Sequence, residues 1–464
     1  MITRRPLLLG TLAAIAACKR TRAPKVTEVW DEEPVPEQAD AIGALAPPWP
    51  APVRGQLDSG LLTFWLHEVG TSASHVRLVI PTLRRAGDAP PAAAIAVVAE
   101  YIRAEWQHRT LKHGVAVRLE HGPDRFEITA SGTESKLTNT LAALGSLLAS
   151  RAPNGLEGQR ARLENDAAAR TSAELATAAT IAKLLGTHDA LDREALRELS
   201  RVELGELWPT MTDPRDAVLI VQSSRTAEEA KPELRRLATA WRGTGRRELL
   251  DQAAARLHRN ASPKSTGTRL LSAPVTAVEV VEGTSRGPGV LALGRTLSLD
   301  KTRDRSLARL AQRIAQEELD MSLTIAGKVG VVVVRTTITK SAPDRDLQRA
   351  VEQVAAFAQT RQPRQRLFQA AQLWLGARVV EASLAGEDWT GLFAKAIDLS
   401  DRDAEIAGAL AKDAKTMLAL GPEELHTWTK KWLDPRVGEP GWAWSAAGLD
   451  ADTAAKIGKV AQVS

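Results

Sequence analysis

Residues 290 to 339 open with Val290-Leu291-Ala292-Leu293-Gly294-Arg295-Thr296-Leu297 and continue through a helical-period run from Arg303 to Glu318. They close with Met321-Ser322-Leu323-Thr324-Ile325-Ala326 and Val331-Val332-Val333-Val334-Arg335-Thr336-Thr337-Ile338-Thr339, on either side of Gly327-Lys328-Val329-Gly330. Short runs of β-branched and aliphatic residues broken by a Gly-bearing turn spell strands and a hairpin. Apolar residues recurring three and four apart spell a helix. The order is therefore strand, helix, hairpin. A further strand precedes it at Thr276 to Glu282, and helices follow at Asp344 to Gln359, Pro363 to Ala385, Asp401 to Leu418 and Pro422 to Trp432. Gly441 to Ser445 reads as a closing strand.

The same order occurs earlier. Leu61 to Glu68 and His75 to Thr82 read as strands, and Ala92 to Gln107 as an Ala-rich helix. Val115 to Glu120 and Phe126 to Ser131 form a hairpin about His121-Gly122-Pro123-Asp124. Helices follow at Lys136 to Ser150, within Leu156 to Leu185 and within Arg193 to Leu207; a strand at Ala217 to Gln222 and a helix at Glu228 to Trp241 end the series. Two passes through one element order predict a duplicated α+β architecture: two homologous domains, each a mostly antiparallel sheet covered by helices. The expected domains are 53–245 and 269–447, joined by a linker at 246–268 that is rich in Arg, Gly, Ser, Lys and Thr, with a C-terminal tail at 448–464.

Ahead of these lies a leader. Met1-Ile2-Thr3-Arg4-Arg5, an apolar run to Ala17 and the small residues before Cys18 have the pattern of a bacterial lipoprotein signal, so residues 1–17 are expected to be removed and Cys18 to carry lipid. The apolar run is too short to span a bilayer, which takes about 20 residues. Thr3-Arg4-Arg5-Pro6-Leu7-Leu8 also resembles a twin-arginine export signal; two arginines at an ordinary basic start are the other reading. Residues 18–52 read as a flexible tether, dominated by charges, prolines and Ala46-Pro47-Pro48-Trp49-Pro50-Ala51-Pro52. The expected location is the cell envelope, on a membrane facing the periplasm or the outside.

Composition narrows the classes. An apolar fraction of 44% and a charged fraction of 25% suit a folded globular chain. Cys18 is the only cysteine, so the chain holds neither an internal disulfide nor a thiolate metal site once that thiol is lipidated. The net charge of +5 is spread through mixed signs, and no nucleic-acid partner is expected.

Several stretches resemble the insulinase or pitrilysin family of metallopeptidases. They are Gly60-Leu61-Leu62-Thr63-Phe64-Trp65-Leu66, Arg77 to Gly87, Glu164-Asn165-Asp166, Leu196-Arg197-Glu198-Leu199-Ser200 and Asp216 to Val221. The resemblance covers residues 57 to 447 and implies two α+β domains paired around a substrate chamber. It also implies an inverted zinc motif, H-x-x-E-H, on the first long helix, with the two His as ligands, the Glu as general base and a further Glu from a later helix as third ligand. The register sets Val97 and Tyr101 where the histidines belong and keeps only Glu100. Glu157 or Glu164 occupies the place of the third ligand, and Glu164 reads as a surface helix residue. An arginine and a tyrosine of the second domain hold substrate in the family; here the single tyrosine, Tyr101, lies in the first half. None of the eight histidines pairs at helical ligand spacing, and His108 and His113 read as solvated loop residues.

Other chemistries have weaker footing. Gly283-Thr284-Ser285-Arg286-Gly287 has the letters of a nucleophile elbow but reads as a loop. Thr71-Ser72-Ala73-Ser74-His75 reads as a β-turn loop. Trp65, Trp389, Trp428, Trp432, Trp442 and Trp444 are either core or the lining of a peptide groove. The leading expectation is a lipid-anchored protein without a catalytic residue, a metal or a cofactor. It would serve as companion subunit of an active pitrilysin-type peptidase or as a scaffold for extended peptides. The alternatives are an active zinc peptidase in which His108, His113 or His121 reaches Glu100, and a structural envelope lipoprotein.

Overall fold

In a computed structural model, the described residues are 52–81, 92–121, 125–149, 155–185, 189–242, 278–279, 288–326, 329–339, 342–384, 389–396, 415–436, 442–449 and 452–453. The leader with Cys18, the linker 246–268 and Gly283 to Gly287 lie outside them.

The first half holds strands β1 (Pro52–Gln56), β2 (Leu62–His67), β3 (Ala73–Pro81), β4 (Ala116–His121), β5 (Arg125–Thr133) and β6 (Val218–Ser223). They form one sheet in the order β1-β2-β6-β3-β5-β4. The second half holds β7 (Val278–Glu279), β8 (Gly289–Ser298), β9 (Asp320–Ala326), β10 (Val329–Ile338) and β11 (Trp442–Ala447), in the order β7-β11-β8-β10-β9. The two orders superimpose as β2/β7, β6/β11, β3/β8, β5/β10 and β4/β9. In each sheet the first of these strands runs parallel to the second and every other pairing is antiparallel. This is the duplication the element order predicts, with β1 added at one edge.

Strand alternation gives each sheet two faces to bury. On the first sheet Val76, Leu78, Ile80, Phe126, Ile128, Leu219 and Val221 enter one core with helix α1 (Ala92–Thr110) and helix α2 (Leu137–Leu148). Helix α1 is buried almost all round, from Ala93 to Ala99 without interruption, which explains its run of alanines and β-branched residues in place of a polar stripe. A 3-10 turn at Leu111–His113 follows it and is capped by Gly114, whose φ of 71° lies in the left-handed region and turns the chain into β4. Trp106 donates its indole N–H to the Thr140 carbonyl at 3.1 Å and fixes α1 to α2.

The opposite face of each sheet is covered by a helix from the other half. Helix α4 (Ser172–Leu185), which follows α3 (Leu156–Ala168), lays Ala176 and Leu185 against Ala292, Val331 and Val333 of the second sheet. There the Thr180 hydroxyl donates to the Ala292 carbonyl at 3.3 Å. After it come α5 (Arg193–Glu198), α6 (Arg201–Met211) and α7 (Lys231–Ala240). The second half contributes α8 (Thr302–Ala315), α9 (Pro343–Gln359), α10 (Arg364–Leu384), α11 (Trp389–Ala396) and α12 (Pro422–Trp432). Helix α11 returns the exchange by seating Phe393 and Ala394 on Leu62, Phe64, Val79, Val218 and Ile220 of the first sheet.

Polar anchors fix α11 at both ends. Gln222 Oε1 accepts the Trp389 N–H at 2.7 Å, and Arg125 donates to the Ala394 carbonyl at 2.6 Å. Between them the buried Arg77 donates to the Thr390 hydroxyl at 3.1 Å and to Glu127 at 2.6 Å. A polar N–H acceptor at one helix end and a cation at the other also suit the helix dipole. Each sheet thus buries one face against a helix of the other half. The core of the second half extends through Leu449.

Two further expectations are corrected. Pro52–Gln56, placed at the junction of tether and domain, is edge strand β1. The Thr71–His75 loop is only a turn at its start: β3 begins at Ala73, and His75 is a buried strand residue whose Nδ1 lies 2.9 Å from Ser131 Oγ across the sheet. Strand register, not the neighbouring serines, supplies its hydroxyl partner.

Candidate functional site

Helix α1 carries Val97, Glu100 and Tyr101 over one turn and a quarter. Val97 is fully buried and has no lone pair to offer. Glu100 is 5% exposed, and its carboxylate is already claimed. Arg103, one turn on, donates Nε to Oε2 at 2.9 Å and Nη2 to Oε1 at 2.6 Å, a two-pronged charge-assisted contact. Arg162 reaches from α3 and places Nη1 2.9 Å from Oε1. Both carboxylate oxygens are thus engaged by guanidinium groups rather than presented to a metal or a water. Tyr101 packs edge-on against Trp208, with ring centroids 5.7 Å apart at 85°. Burial, and then the charge of Glu105, raise its phenol above the ordinary value near 10, further from the phenolate that would bind a metal.

The carboxylates proposed for a third ligand fare similarly. Glu164 accepts from Arg197 Nε at 2.5 Å, with Arg193 at 3.9 Å and Arg160 at 4.0 Å. The Arg197 hydrogen bond and these neighbouring charges hold its carboxyl below the usual carboxylate range. Glu157 is exposed at the start of α3. His108 is exposed on the last turn of α1, His113 is half-buried just beyond it, and His121 ends β4. Among the described residues no group of three His, Cys, Asp or Glu stands close enough to hold a metal ion. A hydrocarbon, a protonated phenol and two carboxylates paired with arginine do not fit a zinc ion, which takes imidazole, thiolate or free carboxylate donors.

Among the described residues the tryptophans do not gather into one groove. Trp65, Trp428 and Trp442 are buried, and Trp65 donates to the Arg225 carbonyl at 2.7 Å. Trp432 lies under Arg295 and Lys431 in the second half, while Trp389 packs on the first sheet.

Residues that sequence reading passed over define the surroundings of Glu100. Arg103 follows it at i+3, a spacing that signals an ion pair on a helix. Arg162 becomes visible only when α3 is packed on α1. Gln107 stands two helical turns after Glu100 and so on nearly the same side of α1. Its carboxamide Nε2 donates to the Val115 carbonyl at 2.9 Å, and its Oε1 accepts the Val117 N–H at 2.6 Å. Strand β4 is an edge of the first sheet, so these are backbone groups that point away from β5.

No family model matches the sequence, and no curated protein matches it. Solved structures do match the fold. A protease from Helicobacter pylori is similar with a TM-score of 0.64 at 11% identity, covering 86% of this chain and 100% of its own. A peptidase M16 inactive domain from Pseudomonas fluorescens gives 0.60 at 12% identity, covering 86% of this chain and 98% of its own. A putative M16-like peptidase from Alicyclobacillus acidocaldarius gives 0.58 at 11% identity, covering 85% and 97%. The chain therefore has the two-half α+β fold of the M16-like, pitrilysin-type peptidases.

Proposed function

We propose that this chain is a non-catalytic member of the pitrilysin-type fold, lipid-anchored through Cys18, that works as companion subunit to an active peptidase or as a scaffold for extended peptides. The observation that carries the reading is the state of Glu100: the one surviving residue of the zinc motif is buried and paired with Arg103 and Arg162, beside Val97 and Tyr101. Fold alone does not decide activity, and these side chains lack the donors and the free base that the family chemistry needs. A sheet edge keeps its capacity to pair with an extended chain after such a loss, since main-chain groups do the binding. A solved relative by fold that is described as an inactive M16 domain gives the reading a precedent.

The test is proteolysis of oxidised insulin B chain, followed by mass spectrometry, with zinc present. The peptide is expected to remain intact. Zinc-dependent cleavage that disappears in Glu100→Gln would establish the peptidase instead. The anchor is tested separately by membrane fractionation of the natural chain and of Cys18→Ser, which is expected to move to the soluble fraction.

A further inference from the structure

We propose that Gln107 is a built-in gate on the β4 edge, filling the donor and acceptor positions that the backbone of an added strand would take. The inference rests on the scaffold reading above, and deepens it.

In an antiparallel pair, successive residues turn their N–H and C=O alternately toward the partner strand and away from it. The Val117 N–H is bonded to Gln107, so Val117 faces outward, and with it Leu119 and His121. Ala116, Arg118 and Glu120 face β5. A carboxamide has the same donor and acceptor as a peptide unit. Gln107 uses both, one on Val115 and one on Val117, where one residue of an incoming parallel strand would place its own N–H and C=O. The structure thus displays the recognition mode with the chain's own side chain in place of a ligand. The partner this edge fits is an extended peptide whose alternate backbone amides pair with Val115, Val117 and Leu119. The pairings at Val115 and Val117 require the half-buried Gln107 side chain to rotate away.

A guard of this kind has a consequence that plain packing does not. Edges left open invite any strand, and natural sheets blunt them. Here the guard is one flexible side chain, so the edge opens at the cost of two neutral hydrogen bonds, which the peptide then replaces.

Fluorescence anisotropy with labelled oxidised insulin B chain, on the full-length protein, reads the gate. Gln107→Ala is expected to bind about tenfold tighter than the natural chain, a ratio set by two hydrogen bonds of modest net worth. Gln107→Glu retains the acceptor for Val117 but cannot donate to Val115, and is expected to fall between them. Hydrogen exchange localises the effect. The Val117 amide is expected to exchange faster in Gln107→Ala and to regain protection when peptide is added. Equal affinity in the natural chain and Gln107→Ala overturns the gate and leaves the scaffold reading standing. Absence of binding in every variant, with cooperative melting retained, overturns both. Tighter binding without protection at Val117 also overturns the gate, because the peptide then lies elsewhere.

Discussion

Arg77→Ala is expected to lower the free energy of unfolding by about 3–5 kcal/mol, the range for removing one partner of a buried ion pair. Arg77 is 2% exposed and Glu127 6%, and their contact of 2.6 Å sits between the first sheet and α11. The variant leaves Glu127 buried without its nearest cation and takes away the donor to Thr390. It therefore weakens the seat of a helix that belongs to the other half of the chain. The loss has a pH signature. Burial raises the Glu127 carboxyl above its ordinary value, with Arg77 and then Arg125 opposing the shift. A carboxyl raised in the folded state binds protons more readily there than in the unfolded chain. Its contribution is present in full below the unfolded value, about 4.3, and disappears as pH rises through the folded value. Removing Arg77 enlarges that shift, so the variant's deficit is expected to be smaller in acid than at neutral pH. Urea unfolding at both pH values checks it, and an equal deficit would show that Glu127 does not sense Arg77.

Gly294→Val is expected to be of similar size, for a steric reason. A Cβ at Gly294 would lie 2.5 Å from Thr180 Cγ2, 2.8 Å from Leu184 Cδ1 and 3.2 Å from the Val332 carbonyl. Strand β8 and the exchanged helix α4 meet there at a distance that only glycine permits. Overpacking a fixed core costs about 1–3 kcal/mol, and displacing α4 also breaks the Thr180 bond to Ala292. Gly294→Ala should cost less. Combined with Thr180→Ala, which removes the opposing methyl, it should recover part of the loss, a non-additivity expected of residues in contact. Strict additivity in thermal melts would contradict this packing. The mirror contact inverts the sizes, since at α11 the glycine is on the helix: a Cβ at Gly391 would lie 2.9 Å from Arg77 Nη2.

The fold was legible where periodicity is strong. The run Val331 to Thr339 and the helix ahead of Met321 announce themselves, and β9 and β10 lie within one or two residues of their expected limits. The duplication followed from order alone and is repeated in the strand pairings. Strand β1 was not legible, because Pro52-Val53-Arg54-Gly55-Gln56 lacks the alternation of a half-buried strand and is held mainly by backbone pairing to β2. The helix exchange was hidden for another reason. The apolar face of α4 says that the helix is covered, not by which sheet, and its partner is far away in the chain; helix α11, at Trp389–Ala396, was not read as a helix at all. The candidate site divides along the same line. Val97, Glu100 and Tyr101 were placed on one helix by the motif register, and they do lie on α1. The Arg162 contact and the Gln107 bridge to β4 could not, since both depend on how α1 packs against α3 and an edge strand.

The central claim is that the motif helix has no capacity for zinc. Elemental analysis of the chain from Lys19 onward, incubated with zinc and then desalted, tests it most directly. The account predicts near-zero zinc per chain. One tightly held zinc per chain would contradict it and would require Glu100 to leave Arg103 and Arg162 for a metal.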